Sequence, residues 1–423
     1  MKKRLTAFML SAAMILCSCG EKQEVLHEQT VQTEITLSWW GNDTRNEYTL
    51  EAVSRFEKAH PEIKVKCSYS EWSGYEARNQ IRMISGTETD VMQINVGWLS
   101  RYSEDGSGYY DLEQLSEDVD LSNFPEEVLE YGRRGGVLNA IPIAMNAETV
   151  YINKTVYERY GLDVPTEWED FFEAAKVMYP DGVYALSGAD KSIWLFCIAY
   201  AEQMTGRRFF NENSEIEFTE EDFKLMIEFY SRLVGENVIP KIEDYQKLEL
   251  DDGTYAGTVA WVSDAQGYCA NAIKAGYEII AAPYTALEGA ESGEGWYAKP
   301  ATLYAISKDT EHPKEAAMLL DFMLNSHEWA DLQGVEKGIP VSSTAREYLG
   351  KVGLLDGIQY EASLVMENNE HISHMDPLIE NADLYKGFID ACNLVLFDRS
   401  DAEDAARELY AAYKESYAIA PTS

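Results

Sequence analysis

The chain has 423 residues, long enough for two or more domains with sizeable hydrophobic cores. Hydrophobic residues make up 46% of it, which excludes wholesale disorder. With 73 acidic and 35 basic residues the formal net charge is −38, and such a surface repels phosphate groups. Nucleic acid is therefore not expected as a partner.

The N-terminus has the pattern of an export signal. Residues 1–4 (MKKR) are basic, and residues 5–16 (LTAFMLSAAMIL) form an apolar run too short to span a bilayer as a stable helix. The next residues, with Cys19 at their end, resemble the lipobox of bacterial lipoproteins. This resemblance implies a signal peptide over 1–18, a lipid anchor on Cys19 and a flexible tether over 19–34. The alternative is a plain secretory signal that is cut elsewhere.

The first third of the mature chain alternates between strand and helix patterns. Residues 35–40 (ITLSWW) and 63–70 (IKVKCSYS) show period-two alternation, and 90–97 (DVMQINVG) is nearly continuous in apolar residues. Helical patterns lie between these strands. A β-α-β-α-β succession predicts a parallel sheet, and ligands bind beyond the carboxyl ends of such strands. Trp39-Trp40 and the segment from Asn95 to Trp98 lie at such ends.

The rest of the chain is predominantly helical, with a few interrupting strands. Helical periodicity extends over 164–178, 191–204, 219–237, 312–333 and most of the last 70 residues. Strand patterns occur at 257–264, at 277–284 and after the glycines of 289–295. The four cysteines of the mature domain lack the spacing of a zinc or redox site, so we expect free thiols: Cys67, Cys197, Cys269 and Cys392.

Aromatic residues next to short polar residues recur at the turns and suggest a saccharide site. A pyranose has an apolar C–H face, which an indole ring can cover, and a rim of hydroxyl groups, which Asp, Asn and Arg can bind. Not every tryptophan is a ligand. Trp39 shares a strand face with apolar residues, and Trp168 and Trp329 lie among helical apolar positions, so all three are predicted to be core residues. Asp90 can be interpreted either as a sugar-binding residue or as a turn or capping residue.

No metal, cofactor or catalytic motif is found in the sequence. His371 and His374 are spaced i, i+3, but a metal site needs more ligands nearby, so we expect solvated histidines. Phosphate-binding, nucleophile-elbow and zinc-protease motifs do not occur.

Eight segments, in order, resemble the family 1 extracellular solute-binding proteins of ABC transporters, the lipoproteins that deliver sugars. They are WWGND, FEKAHPEIKV, GTETDVMQINVGWLSRY, AIPIAMNAETVYINK, PTEWEDF, GTVAWVSD, KPATLYAISKDTEHPKEAAMLLDFML and KGIPVSS. The resemblance covers about 35 to 420. It implies an α/β fold of two lobes, each a mostly parallel sheet flanked by helices, joined by a hinge. It divides the chain into 35–146 plus 301–340 for lobe 1 and 147–300 plus 341–423 for lobe 2.

The resemblance also guides the choice of site residues. Compared with the relative maltose-binding protein, Asn146 replaces a carboxylate, Asn42 and Asp43 replace a polar pair, and Gly97-Trp98 replace an acid and an arginine. These departures mean that maltodextrin itself is not implied. The predicted sugar-binding residues are Trp40, Asn42, Asp43, Arg45, Trp72, Asp90, Asn95, Trp98, Asn146, Trp261, Asp264, Trp296 and Lys299.

The sequence therefore predicts a membrane-tethered receptor, facing outside the cytoplasm, that captures a mono- or oligosaccharide between two lobes and delivers it to an ABC transporter permease. A monomer without cofactor, metal or catalysis is expected. Two alternatives remain: a receptor for a non-sugar solute such as a peptide or polyamine, and a surface glycosidase or lyase.

Overall fold

The structure is a computed structural model that describes residues 32–241, 250 and 252–419. The predicted signal peptide, Cys19 and the tether up to residue 31 lie outside the described residues. The strands are β1 Thr33–Trp40, β2 Ile63–Ser70, β3 Val91–Ile94, β4 Arg133–Arg134, β5 Val137–Leu138, β6 Ala140–Asn153, β7 Gly257–Trp261, β8 Ile279–Ala281, β9 Tyr297–Ile306 and β10 Ser373–His374. The helices are α1 Asp43–Ala59, α2 Trp72–Ser85, α3 Val96–Tyr102, α4 Glu126–Leu129, α5 Lys154–Arg159, α6 Trp168–Met178, α7 Asp190–Thr205, α8 Glu220–Gly235, α9 Ala265–Lys274, α10 Pro313–Asn325, α11 His327–Gln333, α12 Ser343–Lys351, α13 Gly357–Glu367, α14 Ala382–Leu396 and α15 Ala402–Ser416.

The predicted β-α-β-α-β start of the domain is confirmed. β1 pairs in parallel with β2 and with β3, and Leu37 faces Cys67 on one side and Val91 on the other. The strand begins at Thr33, two residues earlier than predicted, because the Thr33 backbone N–H donates to the Glu62 carbonyl. α1 begins where the Asn42 side chain accepts from a backbone N–H of the first turn. All three strands therefore end on the same edge of the sheet.

The sheet as a whole is mixed, which corrects the prediction of mostly parallel strands. Its order is β2-β1-β3-β9-β6-β7, with β10 beside β9 and β8 beside β6. β9 runs antiparallel to both β3 and β6, and β6 runs antiparallel to β7 and β8. The alternation of apolar residues marks a strand but not its direction, so the sequence could not reveal these pairings.

Two separate hydrophobic cores flank the paired strands β6 and β9. One core lies around β1, α1 and α10, and the other lies around α6, α7, α8 and α14. β6 contributes to both, through Ile141 in the first core and Ile152 in the second. The chain is therefore an α/β protein of two lobes, as predicted. Trp39 and Trp329 are buried in the first core and Trp168 in the second, which confirms them as core residues.

The cysteines of the described residues are free thiols, as expected. Cys197, Cys269 and Cys392 are buried, and Cys67 is half-buried. Within the same described ranges, no helix combines the length and apolar character required to cross a bilayer.

Candidate functional site

Three tryptophans meet at the carboxyl ends of β1, β2 and β3. Trp40 is the last residue of β1, Trp72 follows β2 as the first residue of α2, and Trp98 lies in α3 directly after β3. The ring centroids of Trp40 and Trp72 are 4.8 Å apart, and those of Trp72 and Trp98 are 6.0 Å apart. Because parallel strands bring their carboxyl ends together, three segments distant in sequence build one aromatic cluster.

This tryptophan cluster has a buried side and an exposed side. Trp98 is 5% exposed and stacks on the buried Tyr75 ring at 5.9 Å, and the Tyr75 hydroxyl donates to the Gln93 carbonyl at 2.7 Å. Trp72 is 37% exposed, and Trp40 is partly exposed. Trp98 and Tyr75 thus back the cluster, while Trp40 and Trp72 offer apolar surface to solvent.

The polar residues beside the cluster are mostly engaged by the protein itself. Asn42 caps α1, and Asn95 caps α3 by accepting from the Gly97 backbone N–H at 2.9 Å. Arg45 binds Glu336, with 3.2 Å between its Nε and the carboxylate Oε1. Asp43 is exposed in the first turn of α1. Asn42 and Arg45 therefore organise the turn after β1 in this structure.

The contacts of Asp90 and Trp296 indicate that both residues stabilise the fold. One Asp90 oxygen accepts from the Thr36 backbone N–H and hydroxyl, and the other accepts from the Thr310 hydroxyl at 2.5 Å. Trp296 is buried in the second core, parallel to the Trp168 ring, and its indole N–H donates to the Thr285 carbonyl. Both residues stabilise the fold where they lie, and we leave them out of the proposed site.

A second group of predicted residues lies where β6, β7 and β9 pair. Asn146 on β6 faces Lys299 on β9 and exchanges two hydrogen bonds of 3.1 Å with Ser263. Trp261 ends β7 one residue before the turn that contains Ser263 and Asp264. The structure thus brings Asn146, Trp261, Asp264 and Lys299 together, as a group distinct from the tryptophan cluster.

This second group is rich in charge. The ammonium groups of Lys299 and Lys191 lie 4.4 Å and 5.3 Å from the centroid of the Trp261 ring. Both bind the carboxylate of Glu380, Lys191 at Oε1 over 2.7 Å and Lys299 at Oε2. Burial lowers the pKa of Lys299, although Glu380 opposes this shift. Burial alone would raise the pKa of Glu380, but Lys299 and Lys191 outweigh it and hold the pKa below its usual value.

Glu148 lies beneath this charged group. It faces Trp261 across the β6–β7 pair, and its Oε1 accepts from the Ser192 hydroxyl at 3.0 Å. Its Oε2 is buried and has no hydrogen-bond partner among the described residues. Burial raises the pKa of Glu148 to about 8, so the carboxyl group is largely protonated at neutral pH. Asp264, exposed in the turn after β7, also has a raised pKa because of partial desolvation.

The two groups lie on neighbouring segments. Glu380 ends a short 3₁₀ helix that begins at Pro377. Gly97, in the first turn of α3, approaches this helix so closely that a side-chain carbon at position 97 would lie 3.6 Å from the Pro377 Cβ. The start of α3, the helix that carries Trp98, therefore lies close to the segment that carries Glu380.

Sequence reasoning did not select Glu148, Lys191, Ser263 or Glu380. Glu148 could have been selected from the sequence, because it lies two positions after Asn146 on one strand and therefore faces the same side of the sheet. No sequence pattern indicates that Lys191 and Glu380 meet, because their contact spans 189 positions of the chain. His371 and His374 are exposed, as expected: His371 is near Glu291, and His374 stacks on Tyr131.

Two α/β lobes with aromatic and charged side chains at the strand ends define a two-lobed ligand-binding protein. A model of the bacterial extracellular solute-binding protein family matches residues 40–327, which is more than half of the chain. The chain belongs to this family, as its sequence motifs predicted.

Known proteins of similar structure include a designed enzyme and a natural receptor. The chain is similar to a de novo designed cysteine esterase (28% identity, TM-score 0.85, covering 91% of this chain and 98% of that chain). It is also similar to a periplasmic oligogalacturonide binding protein from Yersinia enterocolitica (29% identity, TM-score 0.79, covering 90% and 98%). The same Yersinia protein in complex with saturated digalacturonic acid gives 28% identity and a TM-score of 0.76, covering 91% and 98%.

Among curated proteins, the chain is similar to an uncharacterized ABC transporter extracellular-binding protein from Pyrococcus horikoshii. The two are 22% identical over 218 residues, which cover 49% of each chain. The chain thus matches about half the length of this relative.

Proposed function

We propose that the protein is a receptor that binds an oligosaccharide between its two lobes and delivers it to an ABC transporter permease. The observation that carries this proposal is the cluster of Trp40, Trp72 and Trp98 at the carboxyl ends of three parallel strands, with Trp72 37% exposed. An exposed indole beside other rings costs free energy in water, and stacking on the apolar face of a sugar ring recovers it.

The relatives support a saccharide over the other solutes. A structure 28–29% identical to this chain over almost its full length binds oligogalacturonides, and its complex holds digalacturonic acid. A peptide needs strand-edge or pocket contacts more than flat aromatic surfaces. A polyamine would need uncompensated carboxylates, whereas Glu380 is already bound to two ammonium groups. The link to an ABC transporter is supported by the Pyrococcus relative.

Binding without catalysis fits the chemistry of the described side chains. The designed esterase of similar fold is a cysteine enzyme, and a nucleophilic cysteine requires a lowered thiol pKa. Burial instead raises the pKa of Cys67 to about 11 and that of Cys269 to about 12, and it also raises the pKa of Cys197 and Cys392. A glycosidase remains the alternative that the experiment below tests.

The proposal extends to closure and anchoring. Asn146 and the segment 299–301 belong to the paired strands β6 and β9, which contribute to both lobes, so bending there would close the lobes on a ligand. The division into 35–146 plus 301–340 and 147–300 plus 341–423 remains part of this proposal, as do a monomeric state and a lipid anchor on Cys19. The permease would then recognise the closed form outside the cytoplasm.

The test is a melting-temperature screen of the purified protein against mono- and oligosaccharides, including acidic ones, with peptides and polyamines as competitor classes. A ligand that binds only the folded state raises the melting temperature. We expect a saccharide to do so and to be recovered unchanged. A response to peptides or polyamines alone would overturn the proposal, and release of shortened sugars would favour a glycosidase.

A further inference from the structure

The lysine pair beside Trp261 is unusual in this chain. Acidic residues outnumber basic ones 73 to 35, yet two ammonium groups lie over one indole ring near the contact between the lobes. They come from separate elements, Lys191 from α7 and Lys299 from β9. The fold therefore brings two ammonium groups together at one place despite the overall negative charge of the chain.

The two lysines hold one carboxylate, with one ammonium group on each oxygen. The carboxylate is that of Glu380, and it is partly exposed to solvent, as is Lys191. Lys299 is more deeply buried, with 16% of its side chain exposed. A carboxylate bound through both oxygens by separate cations has strong, charge-assisted hydrogen bonds. The arrangement thus indicates that a carboxylate is the ligand group that these two lysines bind best.

A purely structural role explains the arrangement less well. Burying an ammonium group costs desolvation energy that a buried ion pair often fails to repay, so stability alone gives little reason for two lysines on one carboxylate. The charges also balance only in the absence of a ligand, because Glu380 binds both lysines, Asp264 interacts with them electrostatically and Glu148 is largely protonated. An anionic ligand would therefore enter this site by replacing Glu380.

We propose that Lys191 and Lys299, held against Trp261, form a subsite for the carboxylate of an acidic sugar residue, and that Glu380 occupies this subsite until the ligand displaces it. This inference rests on the proposed saccharide-binding function and narrows it to uronate-containing oligosaccharides. The sugar carboxylate takes the two ammonium contacts, and Glu380 moves away with its short 3₁₀ helix. The same movement would shift Pro377, which lies close to Gly97 at the start of α3, the helix that carries Trp98. Binding of the sugar carboxylate at the two lysines would thus affect the position of the neighbouring tryptophan cluster.

The test compares two probes that differ only at C6 of each sugar residue: α-1,4-linked digalacturonic acid and α-1,4-linked galactobiose, which has two hydroxymethyl groups in place of the two carboxylates. Affinities are measured by calorimetry for the wild type and for Lys191→Met, Lys299→Met and Glu380→Gln. Lys308→Met is the matched control, because Lys308 is an exposed lysine paired with Asp309 just after β9. Each variant is first checked by its melting temperature.

We expect the wild type to bind the acid at least about tenfold more tightly than the neutral disaccharide, the scale of one or two charge-assisted hydrogen bonds. Lys299→Met should remove most of that preference and Lys191→Met part of it, with little change for a neutral ligand. Glu380→Gln should tighten binding of the acid, because it removes the competing carboxylate. The control should behave as the wild type.

Three results would overturn the subsite. They are weaker binding of the acid by Glu380→Gln, equal losses for acid and neutral sugars in the lysine variants, and a wild type that prefers neutral saccharides. In the last case the receptor function stands and only the acidic specificity fails. If no saccharide of the wider screen binds, the proposed function itself fails, so the two failures are distinguishable.

Discussion

Trp39 and Trp40 are neighbours at the end of β1, but their side chains lie on opposite faces of the sheet. Trp39 is fully buried, stacks on Tyr69 with 4.7 Å between ring centroids and donates its indole N–H to Asn46. Trp40 is partly exposed and contacts Trp72 at the edge where β1 to β3 end. Strand alternation forces this division, so one of the pair stabilises the core and the other is available to a ligand.

The two tryptophans should therefore respond differently to truncation. Trp39→Ala leaves a cavity in the first core and should lower the free energy of unfolding by about 3–5 kcal/mol. Trp40→Ala should cost less stability, because part of the ring is already exposed, and should weaken saccharide binding by about 1–3 kcal/mol. Chemical denaturation and calorimetry measure the two effects. Unchanged affinity in Trp40→Ala would contradict its assignment to the site.

Much of the tryptophan cluster could be predicted because local patterns determine it. Alternation placed Trp40 opposite Trp39, and the β-α-β-α-β order predicted that the ends carrying Trp40 and Trp98 would meet. The charged group was harder to predict. Asn146 was selected through the family resemblance and Lys299 through its aromatic neighbours in GWYAK, while Lys191 and Glu380 meet only through tertiary packing across 189 positions. No local periodicity encodes such a contact.

Trp296 shows a different limit of sequence reasoning. Its glycine-rich surroundings, residues 289–296 (GAESGEGW), suggested a turn at the ligand site, yet its ring packs parallel to Trp168 with 6.3 Å between centroids. The glycines instead allow the backbone to approach a helix closely: at Gly295, with φ of 73°, an added Cβ would lie 2.7 Å from the Ala199 carbonyl oxygen. Glycines occur both where backbones pack tightly and in exposed turns, so the sequence alone does not distinguish the two.

Ligand binding should make the particle more compact. β6 and β9 pair from Ala140 to Ala147 and contribute to both lobes, so a hinge at these strands would bring the tryptophan cluster and the lysine pair together. Small-angle scattering should show a smaller radius of gyration once the saccharide found in the screen is added. Trp40→Ala at the same saccharide concentration is the control. Proven binding with an unchanged radius would mean a rigid or already closed site.

Lipid anchoring should depend on Cys19 and not on Cys17. Cys19→Ser should release the protein from the membrane fraction and abolish the mass increment of the lipid, because the thiol is the acceptor of the diacylglyceryl group. Cys17→Ser is the matched control and should remain anchored. Fractionation and mass spectrometry of the intact protein provide the readout. A Cys19→Ser protein that stays lipidated would show that the lipobox interpretation is wrong.

The buried carboxyl group of Glu148 should make stability depend on pH. Because burial raises its pKa in the folded protein to about 8, above the value of about 4.3 expected in an unfolded chain, the folded state holds the proton more tightly between these two values. The stabilising contribution of Glu148 is thus complete below about pH 4.3 and is lost as the pH rises through about 8. Glu148→Gln cannot ionise and escapes this loss.

The free energy of unfolding of Glu148→Gln relative to that of the wild type, measured by chemical denaturation, should therefore rise between about pH 5 and pH 8, by on the order of one to two kcal/mol for each pH unit. Taking the difference between the two proteins cancels the titration of other groups, including the buried Glu202, whose pKa burial raises to about 7. Glu288→Gln, at an exposed position, is the control and should show a constant difference. A constant difference for Glu148→Gln as well would mean that Glu148 is ionised in the folded protein, with Lys191 and Lys299 as its counterions.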